Sequence, residues 1–99
     1  CAVEKILDIG VPGNVYNVGT SKGTSNLDII EYLRPLATQV GFDVQVKIQA
    51  ARPFDVIANV LDIRRIINEV GWTPTIGIED GLVSTWNWYM ENRGKWLRL

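Results

Sequence analysis

A small mixed α/β unit is the fold this sequence predicts, from three observations. Three runs place apolar residues at helical spacing, near 27–40, 62–70 and 78–92. Three short runs near 15–18, 44–48 and 56–60 have strand character. Gly or Pro punctuates most boundaries between them, as at Gly10, Gly13, Gly41, Gly71 and Pro74. The chain has 99 residues, 46% hydrophobic and 21% charged, which suits one domain with a modest core.

Each element has its own signal. The opening Cys1-Ala-Val-Glu-Lys-Ile-Leu7 is apolar-periodic but uncapped, like the end of a helix that began upstream. With no initiator Met, the chain is expected to be a piece of a longer protein. Gly10-Val-Pro-Gly13 is a turn, Asn14 to Val18 a short strand, and Gly19-Thr-Ser-Lys-Gly23 a loop. Ser25 is placed to cap the next helix, with Asp28 completing a capping-box variant. Leu27, Ile30, Leu33, Leu36, Ala37 and Val40 then recur at helical spacing. Pro35 lacks a backbone donor and crowds the preceding turn, so a kink or restart is expected there. Gly41 ends the run.

From Asp43 to Gln49, Val44, Val46 and Ile48 alternate with Gln45, Lys47 and Gln49. A third short strand is expected over 56–60. Asp62 is placed to cap a helix carrying Ile63, Ile66, Ile67 and Val70, which Gly71 ends. Trp72-Thr-Pro74 is a rigid turn, and Trp72 is expected in the core. The last helix starts near Ile78, with Glu79 and Asp80 where the helix dipole favours anions. Ile78, Leu82, Trp86 and Tyr89 share one face. Trp86 and Trp88 lie about 200° apart around the axis, so Trp86 should be buried and Trp88 more exposed.

Composition excludes several classes of function. The net charge is −1 and the pI about 5.3, which argues against a nucleic-acid or anionic-membrane surface. No apolar run approaches a membrane span, and no signal peptide is expected. With one cysteine, Cys1, no internal disulfide forms, which points to a reducing, cytoplasmic setting. No histidine is present, so His-based catalysis and His metal sites are excluded, and one Cys excludes a thiolate zinc cluster. No metal site is expected.

Gly19-Thr-Ser-Lys-Gly23-Thr24 only superficially resembles a phosphate loop. Three residues separate the glycines where four are needed, and the Lys precedes the second Gly. A plain turn is the better reading. Arg52 and Asp55, in Ala51-Arg-Pro-Phe-Asp55, form the strongest chemical pair. Arg offers a planar fork suited to phosphate, and Asp can accept from ribose hydroxyls. By pattern alone, an ordinary ion pair on a loop is the better reading, since such pairs are common. Arg64-Arg65 and the tail residues Arg93, Lys95 and Arg98 read as solvated faces.

Taken in order, the segments GNVYNVGTSKGTSNLDIIEYL, RPFDV and VLDIRRIINEVGWTPTIGIEDGLVSTWNWY resemble the C-terminal part of the NAD-dependent nucleotide-sugar epimerases and dehydratases, which are extended short-chain dehydrogenase/reductase (SDR) enzymes. Tyr-Asn-Val-Gly, Arg-Pro-x-Asp, Leu-Asp, Gly-Trp-x-Pro and Glu-Asp-Gly-Leu occur in the family's order. The resemblance implies that residues 1–99 are a nucleotide-sugar-binding lobe without the Rossmann core, with 14–18 joining the sheet of the missing part. It also implies that Arg52 contacts the pyrophosphate of an NDP-sugar, and that Asp55 lies by the ribose or steadies Arg52.

The family's glycine-rich NAD turn, its catalytic Ser/Thr and its Tyr-x-x-x-Lys are absent. None of Tyr16, Tyr32 and Tyr89 has Lys four residues on; Tyr89 has Arg93. The resemblance thus implies no catalytic residue and no cofactor site in this chain. NAD and homodimer formation would belong to the parent enzyme. The alternatives are a catalytically silent nucleotide-sensing SDR relative, or a small interaction domain with a structural Arg-Asp pair.

Overall fold

The computed structural model describes residues 1–96 and contains five helices among them: α1 (Ala2–Ile9), α2 (Asn26–Gln39), α3 (Arg64–Val70), α4 (Ile78–Glu91) and α5 (Arg93–Trp96). Two compact units are present. The first combines Cys1–Gly23 with Pro53–Thr75, and the second combines Thr24–Arg52 with Ile76–Leu99. Arg98, read from sequence as part of a solvated tail, lies outside the described residues.

In the first unit α1 packs on α3. Ala2, Ile63, Ile66 and Val70 form its core, and Ile6, Tyr16 and Trp72 pack against them. The period-3.6 pattern of α3 is thus the core pattern, with Ile67 left at its margin, 37% exposed. Trp72 joins this core from beyond Gly71, whose φ of +71° turns the chain out of the helix.

In the second unit α2 packs on α4. The N-terminus of α2 carries the expected capping box. Ser25 Oγ accepts from the Asp28 N–H and the Asp28 carboxylate accepts from the Ser25 N–H, both at 3.0 Å. The Ser25 backbone N–H, with the Ser25 side chain second, holds the Asp28 carboxyl below its ordinary value. Ser25→Ala is expected to cost about 1 kcal/mol, read as a lower urea midpoint; an unchanged midpoint would refute it.

Pro35 neither breaks nor restarts α2, which runs unbroken to Gln39. Thr38 Oγ1 accompanies this stretch by donating to the Arg34 carbonyl at 2.9 Å. The helix closes in a Schellman arrangement. Gly41, at φ +83°, donates to the Thr38 carbonyl, and Phe42 donates to that of Ala37.

On α4, Leu82, Val83, Trp86 and Met90 are half-buried, whereas Ile78 and Tyr89 at its ends are exposed. The tryptophans differ in the expected sense: Trp86 is half-buried and Trp88 is 46% exposed. The expectation of full burial is not met, because no residue of α4 is buried. Trp88 and Tyr89 meet edge to face at 5.2 Å. Arg93, expected to be simply solvated, lies over the Phe42 ring at 5.5 Å.

The strands expected over 15–18, 44–48 and 56–60 do not form, and no strand occurs among the described residues. The α/β reading is therefore corrected to a helical structure joined by extended segments. Alternation marks a segment that would fit a sheet, but a strand exists only through a partner's ladder. Here side chains take the place of partners. Arg34 Nη1 donates to the Val44 carbonyl at 3.1 Å, and Arg65 Nη1 to that of Val15 at 3.2 Å. Val15, Ile48, Val56 and Ile57 all remain exposed.

Candidate functional site

Arg52 and Asp55 stand in the long irregular segment between α2 and α3, on either side of a turn at Pro53–Phe54. The turn follows from Pro53, which fixes its own φ and biases Arg52 toward extended backbone. Both charged side chains are exposed, and Phe54 between them is 75% exposed. Arg52 belongs to the second unit and Asp55 to the first. The guanidinium can offer two parallel N–H donors to phosphate, and the carboxylate can accept from a hydroxyl.

A second feature lies wholly within the first unit. Val15, Asn17, Asp62, Arg64, Arg65 and Asn68 line a cleft of about 550 Å³. The chain enters α3 through Asp62, whose Oδ1 accepts from the Arg64 N–H at 3.0 Å. The same carboxylate accepts from the Arg64 guanidinium, with Nε at 3.0 Å from both oxygens and Nη2 at 2.6 Å from Oδ2. The N-cap itself is Ile63, without a side-chain cap bond, so the expected cap at Asp62 is displaced by one residue: Asp62 instead makes an Asx-type turn onto Arg64, the first helical residue. Asn17 Nδ2 donates to the Asp62 carbonyl at 3.2 Å. Nearby, Asn14 Nδ2 lies 3.1 Å from both Glu69 carboxylate oxygens.

These contacts set the electrostatics. The Arg64 side-chain and backbone donors lower the Asp62 pKa from its ordinary 3.8 to about 2. Asp62 is the only carboxylate lining the cleft, and this shift is opposite to what a general base at neutral pH needs. Its folded pKa is depressed, so the pairing adds stability above pH 3.8 and loses it as pH falls through about 2. An NMR titration of the Asp62 carboxyl is expected to show a midpoint near 2, moving back toward 3.8 in Arg64→Gln. A midpoint near 3.8 in the unaltered chain would show that the fork does not persist in solution.

Sequence reading treated Arg64 and Arg65 as solvated. They are exposed, yet one grips Asp62 and the other the Val15 carbonyl. The Asp-x-Arg spacing ahead of an apolar-periodic run was a local signal for the first. Nothing local signals Arg65 to Val15 or Asn17 to Asp62, which link residues 50 and 45 apart.

No protein-family model matches the chain, and no solved structure matches it. Curated proteins do. A dTDP-glucose 4,6-dehydratase of Streptomyces niveus is 33% identical over 95 residues, covering 96% of this chain and 28% of that protein. A UDP-glucose 4-epimerase of Caenorhabditis elegans is 32% identical over 92 residues, covering 92% of this chain and 26% of that protein. A dTDP-glucose 4,6-dehydratase of Escherichia coli is 24% identical over 107 residues, covering 99% of this chain and 30% of that protein. The chain therefore spans less than a third of the length of these relatives.

Proposed function

We propose, on the premise that this chain belongs with the NAD-dependent nucleotide-sugar epimerases and dehydratases, that it is the C-terminal NDP-sugar-binding lobe of such an enzyme. Arg52 contacts the pyrophosphate, and Asp55 the ribose or the Arg52 guanidinium. The observation that carries this reading is a match along nearly the whole chain to nucleotide-sugar enzymes, with an exposed Arg-Pro-Phe-Asp turn inside the matched stretch. NAD would be held by the rest of the enzyme, where it would supply hydride-transfer chemistry at a sugar hydroxyl. Residues 14–18, extended here without a partner strand, join the sheet of that remaining part. The parent enzyme is a cytoplasmic homodimer with carbohydrate-biosynthetic activity, an isomerase or a lyase.

The physical case for the two residues is one of matched chemistry. A bidentate guanidinium–phosphate contact is charge-assisted and stronger than neutral hydrogen bonds. Exposure on a turn leaves both groups within reach of a large, polar ligand. Asp55→Asn is expected to weaken binding less than loss of Arg52, since it removes a charge but keeps an acceptor.

The test uses the full-length protein. Nucleoside diphosphate is titrated calorimetrically, and NADH absorbance is followed on mixing with UDP-glucose or dTDP-glucose. Binding with a transient NADH signal is the expected result. Binding without it would identify the silent nucleotide-sensing relative, and absence of binding would overturn the proposal.

A further inference from the structure

We infer that Asn17 and Ser21 are positioning residues for the Asp55 loop: they clamp its C-terminal root and so tune nucleotide binding without touching the nucleotide. The inference rests on the nucleotide-side role proposed above for Asp55.

From Asp55 to Leu61 the chain has no regular structure, and every residue is exposed. Such a segment is ordered only where something ties it down. One tie comes at residues 60–62. Ser21 Oγ donates to the Leu61 carbonyl at 3.0 Å, and Asn17 Nδ2 donates to the Asp62 carbonyl at 3.2 Å. Two successive carbonyls are thus held by side chains from one short segment, 40 and 45 residues away in sequence. The same segment also lies close against residues 60 and 61. A Cβ added at Gly23 would stand 3.3 Å from the Val60 Cγ2 methyl, and one at Gly19 3.5 Å from the Leu61 Cδ1 methyl. Beyond the tie, Arg64 grips the Asp62 carboxylate. Residues 60–62 are therefore held by 17–23 before α3 begins and by α3 itself.

Ser21 supplies an independent sign. Its φ is +58°, and it is the only non-glycine residue at positive φ among the described residues. Glycine is the ordinary occupant of that conformation, and a serine there persists only when its surroundings over-determine it. What serine has and glycine lacks is the hydroxyl that reaches Leu61. The Gly-Thr-Ser-Lys-Gly stretch, which superficially resembles a phosphate loop, thus acts as a latch on the loop that bears Asp55.

A ligand that uses Asp55 must bear the entropy of fixing this loop. Tying its root in advance lowers that cost, so cutting the tie weakens binding without altering the chemistry. In the full-length enzyme, Ser21→Gly keeps the backbone conformation and removes the hydroxyl. It is expected to raise the KM for nucleotide-sugar and the Kd for nucleoside diphosphate by about 3- to 10-fold, with kcat and NAD content retained. Ser21→Asn tolerates positive φ and restores a donor, and is expected to recover most of the loss. Asn17→Asp, isosteric but lacking the donor, should shift KM in the same direction. Ser21→Gly combined with Asp55→Asn should cost less than the sum of the two, because both act through one contact.

Wild-type KM in Ser21→Gly and Asn17→Asp, beside a raised KM in Asp55→Asn, would overturn the inference. So would equal impairment of Ser21→Gly and Ser21→Asn. Wild-type binding by Asp55→Asn would remove the underlying reading and the inference with it, a result distinct from the first two. Should Asn17→Asp not fold, the Ser21 pair decides alone.

Discussion

Ile66→Ala is expected to destabilise the first unit by about 2–5 kcal/mol, the largest effect of any single substitution considered for folding. Ile66 is 0% exposed and is the only large side chain in the chain's described core that is fully enclosed. It sits among Ala2, Ile63 and Val70, with Ile6, Tyr16 and Trp72 packed around them. Truncation removes three carbons from a site with few neighbours able to move inward, so a transfer loss and a cavity loss add. Ile66→Val should cost only about 0.5–1.5 kcal/mol. Ile57→Ala is the control, since Ile57 is 103% exposed and has no burial to lose. Urea denaturation followed by far-UV circular dichroism measures all three. If Ile66→Ala lowers the midpoint no further than Ile57→Ala does, the α1–α3 core is not what holds this unit together.

Arg52→Ala is expected to weaken nucleoside diphosphate binding by the parent enzyme by roughly 1.5–3 kcal/mol, about a tenfold to hundredfold rise in Kd. The reason is geometric as well as electrostatic. A guanidinium presents two parallel donors to phosphate oxygens, and no other side chain reproduces that fork. Arg52→Lys keeps the charge but loses the planar fork, so it should recover only part of the affinity. NAD content should remain unchanged in both, because the cofactor is assigned to the rest of the enzyme. Calorimetric titration into the unaltered enzyme, Arg52→Ala and Arg52→Lys provides the measurement. Equal affinities in three folded proteins would return Arg52 to the status of a surface cation. Loss of NAD together with nucleotide affinity would instead indicate a wider structural failure.

The two experiments address different parts of the molecule. Ile66 lies in the core of the first unit, whereas Arg52 is exposed on the second. The clamp at Asn17 and Ser21 is built on the first unit, beside α3. Destabilising that core is therefore expected to loosen the clamp as well. For this reason stability must be measured for every variant used to test nucleotide binding.

Helix positions were legible because their causes are local. Ser25 with Asp28 marked the start of α2, and Gly41 its end. Ile63, Ile66 and Val70 marked the buried face of α3, and the offset between Trp86 and Trp88 gave the sense of their exposures. Caps, left-handed glycines and period-3.6 stripes act within a turn or two, so a single sequence carries them complete. No restart occurs at Pro35, because a missing donor need not break a helix that packing supports. The family was legible for another reason: several short motifs in fixed order discriminate where each alone does not.

Strand formation and the side-chain ties were decided only in three dimensions. Residues 44–48 alternate as a strand should, yet alternation cannot supply a neighbour, and the segment stays unpaired. The bonds from Arg65 to Val15, Asn17 to Asp62 and Ser21 to Leu61 join residues 40 to 50 apart. No local pattern encodes such pairs, because they exist only once α3 has packed beneath the segment that runs from Asn14 to Gly23. Sequence by itself thus determined where the chain turns, where it coils and which enzymes it resembles. Tertiary structure decided what each extended segment is tied to, because a hydrogen bond between distant residues is made by chain closure and not by spacing.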